Sequence, residues 1–357
     1  MTKVARKSNI ELLRIISIFL ILVVHADFGV IGEPTAGDIH SSFLPCATRI
    51  LFEMFAIICV DIFVFISGWF GIKFSIKGIA KLLFQIVFIQ GLLYVVSVIS
   101  GHGLPGIFGL FMFDRPFWFI KAYIGLMILS PVINTFVKYA DRKAVEIVLF
   151  AYFVFQTLYA WLTNGAWFLF TGYCITSLSA IYLLARYIRV YWNDNHTELT
   201  DKSRLSIMVN KCGGNCTFLY AYLLIAIMNT VLYIACSYVP TIGSYFCPIT
   251  VYYTNPFIIL QSISLFMFFL GLNISTSKII NWIAASSFAV FILHSGEGMN
   301  YYKPAVWYIF SHYSGVLCLG CMFIFLVGVF VLSVLVDQPR KIIWDRLEKH
   351  IKDFRIE

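Results

Sequence analysis

Two ionisable residues stand near the ends of an apolar stretch close to the start of the chain. Arg14 and His25 bracket the segment RIISIFLILVVH. On an α-helix this separation spans about 16 Å along the axis and brings both side chains to nearly the same face. A histidine transfers protons, and the planar guanidinium of an arginine binds phosphate or carboxylate. The pair therefore indicates one shared site. The structural alternatives are an arginine that snorkels to the membrane surface and a histidine that is hydrogen-bonded in the protein interior.

Other polar residues in apolar segments fall at two depths. The outer group is expected to form a pocket in which histidines and carboxylates perform acid–base chemistry on a bound substrate. Near the inner side, a rim of cationic residues is expected to bind phosphates. Alternatively, these residues only fix the orientation of the chain in the membrane. Asp61 lies between the two depths. The outer candidates are Glu53, Trp118, Lys121, His294 and Glu297, and the inner ones are Lys73, Lys77 and Lys81.

Several of the outer candidates have structural alternatives. Glu53 follows Arg49 by one helical turn and could simply form an ion pair with it. His294 either supports His25 and contacts the acceptor or is hydrogen-bonded to backbone at a helix end. Glu297 is expected to orient one of the histidines, as carboxylates often do. Trp118 could stack on a sugar ring, but an interfacial aromatic belt is the favoured interpretation.

The elements that position these residues are predicted to be transmembrane helices. Of 357 residues, 60% are hydrophobic and only 12% are charged, whereas an ordinary soluble domain is about 25% charged. Crossing a hydrocarbon core needs about 20 apolar residues, and lipid satisfies no backbone polar group, so each such run is predicted to be a helix. The predicted runs, about ten, are 10–30, 51–72, 79–99, 117–137, 144–162, 167–188, 217–238, 256–274, 282–297 and 315–336.

Charge placement gives an independent prediction of topology. If ten helices alternate from a cytoplasmic N-terminus, most of the 26 Lys and Arg residues fall on the cytoplasmic side, as the positive-inside rule expects. Both termini are therefore predicted to be cytoplasmic. The net charge of +8 then indicates contact with anionic lipid or an anionic cytosolic ligand, and no nucleic-acid partner is expected.

The remaining bulk features favour an all-α membrane protein with two parts. Residues 1–336 are predicted to form a transmembrane domain, and residues 337–357 a charged cytoplasmic tail whose composition predicts an interfacial helix. The first apolar run is too long for a cleavable signal peptide. No metal site is expected, because Cys212 and Cys216 lack a second pair of ligands.

Five segments, in order, resemble the acyltransferase family 3 of integral membrane proteins. The first is IELLRIISIFLILVVHAD, which carries an arginine, ten residues and a histidine, as does the family's first helix. The others are VDIFVFISGWFGIKFS, PFWFIKAYIGLMILSPVIN, SSFAVFILHS and VLVDQPRKII. The resemblance covers nearly the whole chain.

The resemblance implies transfer of an acyl group, most often acetyl, from cytosolic acyl-coenzyme A to a hydroxyl of a cell-surface or lipid-linked glycan. It implies that His25 activates the hydroxyl, Arg14 positions the donor, and Asp61, Ser67 and Gly68 shape the path. Many members carry an arginine pair after the second helix, where this chain has only lysines. A bacterial plasma membrane, and either a homo-oligomer or a partner in envelope biosynthesis, are expected on the same basis.

A transporter or flippase for a lipid-linked sugar or small anion is the alternative, because buried charges also line transport passages. Transporters often contain inverted repeats and helices broken at mid-membrane. The sequence indicates neither, since residues such as Pro131, Pro256 and Pro339 are expected at segment ends. A scaffold without turnover would not account for Arg14 and His25.

Overall fold

The computed structural model describes residues 7–101, 106–110, 117–163, 169–192 and 214–356, without the side chains of residues 107, 108, 170, 240–244 and 356. Its α-helices are α1 (Ser8–Ala26), α2 (Ala36–Ser41), α3 (Phe43–Ala56), α4 (Cys59–Phe70), α5 (Ile76–Ile99), α6 (Ile107–Leu110), α7 (Trp118–Tyr139), α8 (Arg142–Leu162), α9 (Ile175–Tyr187), α10 (Cys216–Ser237), α11 (Pro240–Thr250), α12 (Pro256–Leu270), α13 (Lys278–Ala284), α14 (Ser287–His294), α15 (Met299–His312) and α16 (Gly315–Leu347). Two short strands, β1 (Phe74–Ser75) and β2 (Arg355–Ile356), form an antiparallel pair.

Seven segments of the described chain are long and apolar enough to cross a membrane. A further pair, Lys278–His294 and Gly296–His312, passes the same test together but is bent by 65°, which makes up to eight spans. The predicted all-helical membrane bundle is confirmed, whereas the count of about ten stays a prediction. Part of the predicted run 167–188 lies outside the described residues. The seven segments are Ser8–Ile31, Phe43–Phe70, Ile76–Ile99, Trp118–Tyr139, Arg142–Leu162, Cys216–Ser237 and Gly315–His350.

Two of the prolines were wrongly expected at segment ends. Pro131 lies inside α7 and Pro339 inside α16. A proline has no N–H for the carbonyl four residues earlier, which for Pro131 is that of Met127. The Ser130 hydroxyl donates to this carbonyl at 2.8 Å. A neighbouring hydroxyl thus satisfies the freed backbone group, so the helix continues through the proline.

Close helix packing sets the centre of the bundle. Helix α4 packs along α9, and α1 lies against α4, α13 and α14. Gly68 permits the first of these contacts, because a Cβ added there would lie 2.6 Å from the Tyr182 carbonyl oxygen and 2.7 Å from the Ala185 Cβ. The Ser67 hydroxyl next to it donates to the Phe63 carbonyl and lies 3.1 Å from the Tyr123 hydroxyl. Ser67 and Gly68 therefore have packing roles in this fold.

The C-terminal residues return to the end of the bundle at which α5 begins. The 33-residue helix α16 continues through the expected boundary between residues 336 and 337. Inside it, the buried Asp337 carboxylate accepts bonds from Arg340 and from Gln85 of α5. Asp353 then accepts bonds from the Ser75 hydroxyl and the Lys77 backbone N–H at the start of α5. These bonds and the β1–β2 pair hold the tail on the loop before α5. The division into two parts stays a prediction.

Candidate active site

Two histidines from distant parts of the chain form a direct hydrogen bond inside the bundle. His25 lies in the last turn of α1, and His294 is the last residue of α14. The His25 Nδ1 and the His294 Nε2 are 2.8 Å apart. The His294 Nδ1 is 2.5 Å from the backbone carbonyl oxygen of Val290, one turn earlier in α14. Tyr302 packs beside His294 and donates to the Leu22 carbonyl, which fixes α15 to α1 near the pair.

This chain of bonds assigns the tautomer of each neutral ring. A carbonyl oxygen only accepts, so the His294 Nδ1 must carry a proton and the His294 Nε2 must accept. The His25 Nδ1 then donates to the His294 Nε2. The His25 Nε2 is left with a lone pair and no protein donor among the described residues. Of the two rings, His25 thus presents the atom that can remove a proton.

The His25 ring lies at the junction of two cavities. The first has a volume of about 240 Å³ and is lined by Glu53, among other residues. The second has a volume of about 460 Å³ and is lined by Glu297. His25, Gly29, Trp118 and Phe291 line both. A proton acceptor between two chambers can contact a ligand in each of them.

Aromatic rings form the wall of the first cavity. Trp118 packs against Tyr173, with ring centroids 4.6 Å apart, and lies 6.1 Å from Tyr253. Both tyrosines line the first cavity. Trp118 is therefore part of a pocket wall, and its stacking on a sugar ring stays a prediction. A flat aromatic surface provides contact area at little cost in side-chain entropy.

The carboxylates of the two cavities differ in their partners. Glu53 is fully buried, and its Oε2 has no hydrogen-bond partner in the structure. Glu297 accepts from Asn300 at 3.1 Å and from Ser97 at 3.5 Å. Both His294 ring nitrogens are bonded to Val290 and His25, so Glu297 does not orient His294. Glu297 and His25 line the second cavity together, and a role of Glu297 toward His25 stays a prediction.

Arg49 forms its ion pair with Asp27 and not with Glu53. It donates to the Asp27 carboxylate at 2.6 Å and to the Gly32 carbonyl at 2.5 Å. Asp27 begins the π-helical turn Asp27–Ile31 that follows α1. The ion pair therefore fastens this turn to α3 close to His25 and leaves Glu53 to the cavity.

Arg14 and Asp61 have different surroundings. Arg14 forms a salt bridge with Glu11, one turn earlier in α1, at 2.7 Å. Asp61 is fully buried in α4, and neither of its carboxylate oxygens has a hydrogen-bond partner in the structure. Both residues are absent from the linings of the two cavities. Their predicted roles stay predictions.

The predicted lysines are not gathered into one cluster at the cavities. Lys73 and Lys81 are exposed, and Lys77 forms an ion pair with Glu348 at 3.7 Å. Lys121 is exposed on the first turn of α7 and lines neither cavity. The described His, Cys, Asp and Glu residues contain no group that could hold a metal ion.

Sequence reasoning missed the tyrosines and two arginines. Tyr173 and Tyr253 carry no motif, and only the fold brings them to Trp118. Arg186 and Arg189, near the end of α9, were counted only as cytoplasmic charge. In the structure Arg189 is buried over the Trp69 ring, at 5.4 Å from its centroid. Their spacing on one helix end was the signal available.

Comparison with known proteins gives one match. A family model described as an acyltransferase domain matches residues 7–337, nearly the whole chain. No curated protein and no solved structure matches the chain.

Proposed function

The chain belongs to the acyltransferase family 3, and from that premise we propose that it transfers an acetyl group from acetyl-coenzyme A to a hydroxyl of a cell-surface or lipid-linked glycan. The observation that carries the proposal is the unpaired His25 Nε2 at the junction of two cavities. One chamber would receive the thioester and the other the acceptor. The aromatic wall at Trp118 suits a sugar ring, which makes the first cavity the acceptor chamber.

The proposed reaction needs only a proton carrier and orientation from the protein. The His25 Nε2 takes the proton of the acceptor hydroxyl while its oxygen attacks the thioester carbonyl carbon. The new C–O bond forms, the C–S bond breaks, and the thiolate of coenzyme A leaves. The same Nε2 then returns the proton to that thiolate, so charge and atoms balance. His294 holds the His25 ring in the required tautomer and stabilises the transient imidazolium.

The proposed setting is a bacterial plasma membrane with both termini in the cytoplasm. In that topology Arg14 lies toward the cytosol and His25 toward the outer face, about 16 Å apart along α1. A donor that binds from the cytosol would need an arm of about that length to reach His25, and pantetheine supplies one. The glycan acceptor and any partner in envelope biosynthesis would then lie on the outer side.

The experiment that tests this function follows label through sealed vesicles. Labelled acetyl-coenzyme A is supplied on the cytoplasmic side, and label in glycan is measured for wild type, His25→Gln and His312→Gln. We expect His25→Gln to reduce turnover about 100-fold or more. His312 is an exposed histidine with a backbone bond at its Nδ1, so it is a matched control and should keep wild-type activity. An active His25→Gln enzyme would contradict the mechanism.

A transporter of lipid-linked sugar is the second candidate, and the broken span favours it. The helices Lys278–His294 and Gly296–His312 meet at a 65° bend beside the cavities, and broken helices at a binding site are typical of transporters. Absence of label transfer by well-folded wild type, together with movement of a lipid-linked sugar across the vesicle, would favour this function.

A further inference from the structure

A pair of arginines lies at the end of α9, with Arg186 in its last turn and Arg189 in the π-helical turn Ile188–Trp192 that follows. Arg186 is half-buried in α9, and Arg189, one turn further on, is buried. Their like charges repel each other. The Nε of Arg186 is buried and has no hydrogen-bond partner, and no carboxylate of the described residues forms an ion pair with Arg186. Burying part of the Arg186 guanidinium without an anion is costly, which points to an anionic ligand.

The loop after α4 is shaped to admit the Arg186 guanidinium. Gly71 has a φ of +76°, and a Cβ there would lie 3.0 Å from the Arg186 Nη1. The Tyr182 hydroxyl accepts the Ile72 N–H at 2.8 Å, and the Asn134 amide donates to the Ile72 carbonyl at 3.0 Å. Tyr182 and Arg186 are one turn apart in α9, so a rigid loop and the free guanidinium meet on one face.

The lysines of the same loop are less suited to this role. Lys73 is exposed to solvent and Lys77 already pairs with Glu348. An exposed ammonium is strongly hydrated, so it gains little free energy when it exchanges water for a phosphate. A guanidinium is weakly hydrated and can form two parallel hydrogen bonds with a phosphate.

The distance to the histidines suits a ligand with a long arm. Trp69, over which Arg189 lies, is nine residues after Val60, and Val60 lines the first cavity. On a helix this separation is about 14 Å, similar to the separation between Arg14 and His25. A ligand anchored at Arg186 could therefore reach the depth of His25, which lies at the junction of the two cavities.

We propose that Arg186 and Arg189, with Gly71 and Trp69, form an arginine site that binds the phosphates of a nucleotide-bearing acyl donor. This inference rests on the proposed function for the identity of the donor. The shared chemistry is phosphate recognition, which an anionic lipid headgroup could also supply, and the experiment separates the two sources.

The test measures binding of coenzyme A by calorimetry to the full chain in nanodiscs of phosphatidylcholine. Pantetheine, which has no phosphates, serves as the comparison ligand. We expect Arg186→Gln and Arg189→Gln each to weaken coenzyme A binding about ten- to 100-fold and to leave any pantetheine binding unchanged. Arg346→Gln is the charge-matched control, because Arg346 is exposed near the same end of the bundle. It should bind as wild type does.

A second variant separates recognition from folding. Arg186→Lys keeps the positive charge but loses the bidentate fork, so we expect a smaller, several-fold loss of coenzyme A affinity with an unchanged melting temperature. Equal coenzyme A affinities for wild type, Arg186→Gln and Arg186→Lys would overturn the arginine site.

Two further outcomes separate this site from its alternatives. In nanodiscs that contain phosphatidylglycerol, loss of bound lipid from Arg186→Gln with coenzyme A affinity unchanged would assign the arginines to a headgroup and overturn the proposal. His25-dependent label transfer with normal donor binding by Arg186→Gln would overturn the arginine site and leave the proposed function standing. Arginine-dependent coenzyme A binding without label transfer would support the site and contradict the function.

Discussion

The histidine pair and the arginine site treat ionisable side chains in opposite ways. At the histidine pair, consecutive bonds run from the Val290 carbonyl through His294 to His25, so one nitrogen of the chain remains open. At the arginine site, the Arg186 Nε is buried without a partner. Bonding within the protein fixes a group that must present a single atom, whereas a missing partner prepares a group to receive a ligand. In the proposed function, this difference separates the residues that act on the substrate from the residues that hold it.

The largest effect is expected from removing the hydrogen bond between His25 and His294. His294→Phe removes the acceptor of the His25 Nδ1 proton, so the ring loses its fixed tautomer and orientation. We expect turnover to fall about ten- to 100-fold, as for other groups that orient a reacting side chain, with the KM for the donor unchanged. Steady-state kinetics on purified protein measures both constants.

A conservative variant distinguishes positioning by His294 from a merely structural role. The side-chain amide oxygen of His294→Gln can still accept from His25, so this variant should recover part of the turnover that His294→Phe loses. Equal losses in both variants, or a loss confined to KM, would contradict the assignment of the tautomer chain.

An intermediate effect is expected from narrowing the arginine site. Gly71→Ala places a Cβ 3.0 Å from the Arg186 Nη1 and strains a backbone with a φ of +76°. We expect coenzyme A binding to weaken several-fold, since positive-φ strain costs about 1 kcal/mol and the guanidinium must also move. Turnover at saturating donor should stay unchanged, because the histidine pair is not touched.

Gly101→Ala is the matched control for that variant. Gly101 has a φ of +77°, but nothing lies within 4 Å of the position its Cβ would take. It therefore carries the same backbone strain without the steric effect. If Gly101→Ala weakened donor binding as much as Gly71→Ala, the loss would come from general destabilisation and the contact with Arg186 would be irrelevant to binding.

The contrast between the two regions also shows what the sequence could predict. Arg14 and His25 lie on one helix, as helical periodicity predicted, but His25 lines both cavities and Arg14 lines neither. Most spans followed from apolar length, because lipid leaves the backbone only the helix. Contacts between distant segments could not be predicted in this way. Asn9, for example, donates to the carbonyls of Phe269 and Leu270 at the end of α12, and no local sequence pattern indicates this contact.

The features that sequence reasoning left open, such as the role of His294, or missed altogether depend on contacts between distant segments. His25 and His294 are 269 residues apart, and their bond exists only after α1 and α14 pack together. Arg186 had the appearance of an ordinary cytoplasmic charge, because its burial depends on the loop at Gly71 and on packing between α4 and α9. Pro131 was misplaced because the Ser130 hydroxyl bonds the carbonyl that the proline leaves free, and the sequence does not show this bond.

The smallest effect is expected at the tail that covers the loop beside the arginine site. Hydrogen bonds from Arg355 and from Ser75 and the Lys77 N–H lower the pKa of the Asp353 carboxyl. A group with a lowered pKa in the folded state stabilises the fold above its unfolded pKa, near 3.9, and loses that contribution as the pH falls through the lowered value. At neutral pH the tail contact is therefore fully present. Asp353→Asn should speed amide hydrogen exchange at Lys77 several-fold, while donor affinity changes less than about twofold, because exposed ionic contacts contribute little.

The pH dependence makes this last prediction specific to the Asp353 charge. Exchange rates of wild type and Asp353→Asn should differ at pH 7 and converge at a pH below the lowered pKa, where the wild-type carboxyl is also neutral. Each comparison is made at one pH, so intrinsic exchange rates cancel. A difference that persisted at low pH would show that the asparagine disturbs the tail through its shape. A tenfold loss of donor affinity for Asp353→Asn at pH 7 would instead make the tail part of the arginine site. The tail could then no longer be described as a segment that only covers the neighbouring loop.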